Sequence, residues 1–216
     1  MKKVLLLLFL FLSVLLFCKT TNNYKIAIGE DVYYSTFSTD TTDSPILYIY
    51  RHEVEEQINY YNLDGVTQKY THKDSTRNID LTAIKYGKNI ILKGSFEQKV
   101  IDTIVKLDDA PWKQSMSYSL SEFALGDEEK IEYWIVRLDK FKGQKMQAEK
   151  TGIEEITIAG KQYNALKVKI SATGLRSKFW SGHYWFRSSD GLFLRYEGLN
   201  GLPGSIKTII EFNEKE

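Results

Sequence analysis

Three histidines, His52, His72 and His183, are the residues of this chain best suited to metal ligation or proton transfer near neutral pH. None stands at metal-ligand spacing from another His, a Cys or a paired carboxylate. A three-His site would have to converge from distant segments. Read as a strand, the segment around His183 places it on one face with Trp185 and Arg187. Serines are numerous, but none occupies a Gly-x-Ser-x-Gly elbow. Cys18, the single cysteine, lies in an N-terminal apolar segment, which argues against a Cys–His nucleophile pair. Glu128-Glu129 and Glu154-Glu155 are adjacent pairs. On a strand, neighbours point to opposite faces, so neither pair makes a carboxylate dyad. Asp108-Asp109 reads as a loop without the further spaced oxygens that a Ca²⁺ loop needs. The run from Gly198 to Gly204 lacks the Lys-Ser/Thr of a phosphate-binding loop and reads as a wide turn. The residues therefore predict no catalytic set, no metal site and no cofactor.

One segment concentrates aromatic side chains: Phe179, Trp180, Tyr184, Trp185, Phe186, Phe193 and Tyr196, interleaved with Lys178, Arg187 and Arg195. Such interleaving can stack on single-stranded nucleic acid. The overall charge of +1 does not support that. Without Lys2 and Lys3 the remainder is near −1, with 27 basic against 28 acidic residues. The alternatives are a hairpin whose aromatics make core and cross-strand pairs, or a pair of strands lining an apolar groove. Phe179, Trp180, Tyr184, Trp185, Phe186, Arg187 and Tyr196 are the candidate ligand or partner surface.

The elements that must position these residues are strands. Leu166, Val168 and Ile170 alternate with Lys167 and Lys169; Ile79, Leu81 and Ala83 alternate with Asp80 and Thr82. Ile206, Ile210 and Phe212 oppose Lys207 and Glu211. Ile46–Arg51 and Ile131–Leu138 are apolar on both faces, which predicts central strands covered on two sides. Asp64-Gly65, Gly87-Lys88-Asn89, Lys142-Gly143, Ala159-Gly160-Lys161 and Asp190-Gly191 separate these runs as hairpin turns do. Met116, Leu120, Phe123 and Ala124 have helical spacing over one or two turns. The pattern predicts an all-β, mainly antiparallel fold: a curved sheet, half-barrel or barrel with at most one or two short helices.

The N-terminus adds a compartment. Met1-Lys2-Lys3 precedes an apolar run from Val4 to Phe17, broken only by Ser13, with the layout of an export signal. The run is shorter than the roughly 20 residues of a spanning helix. Its end at Cys18 resembles the lipobox of bacterial lipoproteins, although Phe17 stands where a small residue is usual. The expectation is a signal segment over 1–18, lipidation at Cys18, a single β domain over 19–216, and a periplasm-facing location with a membrane anchor, by analogy in the outer membrane.

Tyr184-Trp185-Phe186-Arg187-Ser188-Ser189-Asp190-Gly191, then Arg195-Tyr196-Glu197-Gly198, resembles the closing hairpin of an exported bacterial family, domain of unknown function 3108. Ile156 to Val168 looks like that family's penultimate hairpin. The likeness covers the last third of the chain. It departs from the family at Leu192-Phe193-Leu194, where a proline is common. It implies an exported antiparallel β protein and brings no activity with it. A looser likeness is to lipoprotein carriers of the outer-membrane sorting pathway, curved sheets closed by helices over an apolar cavity. The functional expectation is a non-catalytic envelope protein binding an apolar or amphipathic, lipid-like ligand on its curved sheet. A component docking other envelope proteins is the alternative, with an unrecognised enzyme third.

Overall fold

The computed structural model describes residues 19–174, 180–199 and 204–214. The expected signal segment over 1–18, with Cys18, and Phe179 lie outside the described residues.

Fourteen strands follow one another: β1 (Lys19–Ile28), β2 (Asp31–Asp40), β3 (Ile46–His52), β4 (Glu55–Tyr61), β5 (Thr67–Asp74), β6 (Ile79–Tyr86) and β7 (Asn89–Phe96). After β8 (Lys99–Lys106) come two short helices, α1 (Met116–Ser119) and α2 (Ser121–Leu125). Then follow β9 (Lys130–Arg137), β10 (Lys142–Ile158), β11 (Lys161–Ala172), β12 (Ser181–Arg187), β13 (Phe193–Leu199) and β14 (Lys207–Asn213). All pair antiparallel in one sheet, in the order β8 to β1, then β14 back to β9. The first and last strands therefore meet mid-sheet, with Tyr24 opposite Phe212. The sheet is rolled into a nearly closed barrel, the all-β, helix-poor architecture that the alternation predicted. The helical spacing around Met116–Ala124 is realised as α1 and α2.

Fourteen strands enclose more space than side chains alone can fill. Two devices fill it. First, the end of the sheet is tucked inward. Tyr133 of β9 belongs to the buried cluster that holds Tyr24, Tyr61, Tyr184 and Phe186, while Val136 on its other face belongs to the one that holds Leu81, Ile90, Leu92 and Val105. The two-faced apolar pattern of Ile131–Leu138 did predict cover on both sides. It did not mark a central strand: β9 ends the sheet and lies between two apolar clusters. Gly143 belongs to the same arrangement. The expected turn at Lys142-Gly143 is strand, with the turn just before it at Phe141, whose φ is 49°. A Cβ at Gly143 would lie 2.9 Å from Val105 Cγ1 and 3.2 Å from the Trp134 ring, so the glycine serves close approach of β8 and β10.

Second, the β8–β9 connection plugs one end of the barrel. Trp112 is fully buried and bridges to Trp134. Its carbonyl accepts from Thr67 N–H at 2.8 Å, joining the segment to β5 as well. Lys113 is buried; its Nζ donates to Ser119 O (2.8 Å) and Gly65 O (3.2 Å), tying α1 to the β4–β5 turn. Burial lowers the Lys113 pKa, and the carboxylates of Glu122, Asp64 and Glu128 oppose that shift. Leu120 and Phe123 bury their side chains in the large cluster.

Candidate functional site

The plug sits at the end where β1 begins and β4 ends. Toward the opposite end the interior changes character. On β3 the inward residues run from buried Tyr48 to half-buried Tyr50 and His52. On β4 they run from buried Tyr61 and Asn59 to half-buried Gln57 and Glu55. On β1, buried Tyr24 and Ile26 give way to half-buried Ile28. The register makes this one wall: Tyr33 lies opposite Ile26, Tyr50 opposite Gln57, His52 opposite Glu55, and Gln57 opposite His72.

The wall is polar and aromatic. Glu55 Oε1 accepts from Gln57 Nε2 (2.7 Å) and His72 Nε2 (2.8 Å). Gln57 Oε1 accepts from the Tyr70 hydroxyl at 2.9 Å. Burial raises the Glu55 pKa, but the bonds from His72 and Gln57 outweigh it, and the carboxyl is held below its ordinary value. The Tyr33 and Tyr50 hydroxyls bond one another; burial, then the Glu55 charge, raises both pKa values. Tyr33 packs on the His52 ring at 4.5 Å between centroids. Asp74, also inward, spends Oδ1 on the β5–β6 turn, accepting from Thr76 and Arg77 backbone N–H groups. Three buried polar atoms on this wall have no partner: Ser35 Oγ, Asn59 Oδ1 and His72 Nδ1. Such groups are costly in a closed core.

The facing wall comes from β12–β14. Tyr184, Phe186 and Tyr196 point inward, with Tyr184–Tyr196 centroids 4.7 Å apart. Burial pushes Tyr196 up to about 12. Gly182 and Gly198 pair across strands, and a Cβ on either would meet the Tyr196 ring or hydroxyl. Trp180 donates Nε1–H to Leu199 O at 2.6 Å at this end.

The aromatic segment singled out in the sequence is thus divided between two faces. Trp185 points outward. It is buried beneath Lys167 (5.0 Å) and Arg195 (5.7 Å), and it donates Nε1–H to Glu154 at 2.6 Å. His183 lies beside it at 5.9 Å; burial, then Lys167 and Lys169, lowers the His183 pKa. Arg187 is at the plugged end, bonded through Nε and Nη2 to Asp190. There a cleft of about 310 Å³ is lined by Tyr24, Phe37, Tyr48, Tyr118 and Phe193. The wall of β2–β5 gave no motif in the sequence. Its residues alternate along four strands, and only the register assembles them. Among the described residues no three of His, Cys, Asp and Glu gather as a metal site. His52 and His72 share the inner wall, and His183 is on the outer face. Asp108 is spent on Trp134 Nε1, Lys145 Nζ and Ala110 N–H.

No family model and no curated protein matches the sequence. The structure is similar to the β-barrel-like protein of domain of unknown function DUF1849 from Brucella abortus, with TM-score 0.60 and 8% identity over 93% of this chain and 99% of that chain. It is more distantly similar to the hypothetical lipoprotein YmcC from Escherichia coli, with TM-score 0.44, 13% identity, and 91% and 84% of the two chains covered. A LolA superfamily protein from Nitrosomonas europaea aligns with TM-score 0.27, 7% identity, and 91% and 83% covered. The first comparison establishes a shared barrel-like fold. It does not extend to membership of domain of unknown function 3108.

Proposed function

We propose that this chain is a non-catalytic, exported envelope protein that takes an apolar or amphipathic ligand into the barrel end opposite the helical plug. The observation carrying this reading is the inward wall of Tyr33, Tyr50, His52, Glu55 and Gln57, only partly buried where Tyr48, Asn59 and Tyr61 on the same strands are buried. A ligand site needs an apolar lining with a few convergent polar groups. Ile26, Ile28, Ile210 and Tyr196 supply the apolar part across the interior. Export rests on the basic start and apolar run before Cys18, and acylation of Cys18 would supply the anchor. Native mass spectrometry of the full chain, isolated from a bacterial envelope in lipid nanodiscs, tests the reading. Wild type should carry a reproducible added mass, lost in Tyr50→Lys and kept in Trp185→Ala. A clean mass for wild type counts against it.

A second reading, docking of another envelope protein, draws on the outer face of β6–β8. Ile84, Ile91 and Ile104 stand in one cross-strand row, and Val100 on the edge strand β8 is 89% exposed. Cross-linking from position 100 to a protein, with no small-molecule mass on the chain, would favour it.

A further inference from the structure

The chemistry of the wall narrows the ligand, on the premise that the open end is the binding site. We propose that it takes the organic ammonium group of an amphipathic ligand, with Glu55 as counter-charge and the rings of Tyr33 and Tyr50 beside it. Three observations converge. The first is charge. Glu55 and Asp74 face the interior; Glu55 Oε1 is bonded to His72 Nε2 (2.8 Å), and Arg77 and Arg137 are paired with Glu97 (2.6 Å) and Asp139 (2.5 Å). The second is ring chemistry. Tyr33 and His52 pack with ring centroids 4.5 Å apart, and Tyr50 and His52 lie opposite Gln57 and Glu55 across β3 and β4; aromatic faces beside an acid attract a cation through their quadrupoles. An anion would meet repulsion there.

The third is unspent hydrogen-bonding capacity. Gln57 Nε2 and His72 Nε2 each donate one bond to Glu55 Oε1. Among the described residues, Asn59 Oδ1, Ser35 Oγ and His72 Nδ1 on this wall are buried without a hydrogen-bond partner. These atoms lie behind the surface rings and are not the contacts themselves. They leave hydrogen-bonding capacity on this wall that a closed apolar core would not tolerate, which suits a ligand with a polar head.

The test is isothermal titration of the full chain in lipid nanodiscs, with empty nanodiscs subtracted, using hexylammonium, hexanol and hexanesulfonate. Hexylammonium should bind about tenfold more tightly than hexanol, the worth of one well-placed charge contact, and hexanesulfonate should not saturate. Glu55→Gln should erase the ammonium preference, so that hexylammonium and hexanol bind alike. Tyr33→Leu, at a partly buried position, should reduce that preference independently, with an unchanged melting temperature as the folding check. Equal binding of hexylammonium and hexanol, or a preference for hexanesulfonate, overturns the ammonium assignment alone. Absence of binding by all three probes overturns the cavity reading on which it rests.

Discussion

Glu55 is one of the carboxylates that should contribute to the acid behaviour of the molecule. Its folded pKa lies below the ordinary 4.5 because bonds from His72 and Gln57 outweigh its burial and the nearby Asp74 charge. A depressed carboxylate adds stability that is complete above the unfolded value and is lost as pH falls through the folded one. Urea unfolding from pH 6 down to pH 3 should therefore show a steeper loss for wild type than for Glu55→Gln. Parallel curves would show that this carboxylate does not set the acid limb. Trp185 plays a different part. Its ring is nearly buried on the outer face under Lys167, Arg195 and Glu154. Trp185→Ala should cost about 3 kcal/mol in urea unfolding, as large aromatic truncations do, without changing ligand affinity. The sequence made this tryptophan conspicuous as part of an aromatic run, yet the run does not act as one surface. Strand alternation sends Tyr184 and Phe186 inward and Trp185 outward. Glu55, Gln57, His72 and Tyr33 were illegible as a set, since each is ordinary alone and hydrogen-bonded register unites them.

At the scale of elements, alternation and turn residues made most strands readable. Ile79–Ala83 buries the face its spacing indicates, as do Val168 and Ile170, while Leu166 is only partly buried and Ala165 beside it is buried. The displaced feature is Gly143, a glycine that resembles a turn residue and instead clears space for Val105 and Trp134. Gly143→Ala should push β8 from β10 and cost about 1–3 kcal/mol, the usual range for overpacking. Hydrogen exchange should report it as faster exchange in β8 and β9 while β1 and β14 stay protected; uniform change across the barrel would argue against a local contact. The plug was readable as a short helical pattern but not as a plug. Its hold comes from single bonds across the fold, such as Lys113 Nζ to Ser119 O and Gly65 O. Lys113→Met leaves those carbonyls without this donor and should destabilise by about 1–3 kcal/mol, with exchange rising first across residues 115–126.

At the scale of the whole molecule, a long meander closes on itself through β1 and β14, and the space inside is divided. One end is filled by helices and the tucked strand β9. The other keeps a polar, aromatic wall partly open. Barrel-like architecture followed from the sequence because many short alternating strands with turn residues between them have few other ways to bury one face. The division of the interior did not, because it depends on how far the sheet rolls and which edge turns inward. The central claim is that a ligand occupies the open end. Its most direct test is photo-cross-linking in the full chain in a bacterial envelope, with a benzophenone amino acid placed at Tyr50 or at Trp185. A small amphipathic molecule captured from position 50 and not from position 185 is the predicted result. Capture from position 185 alone, or of a protein from both, would contradict the claim.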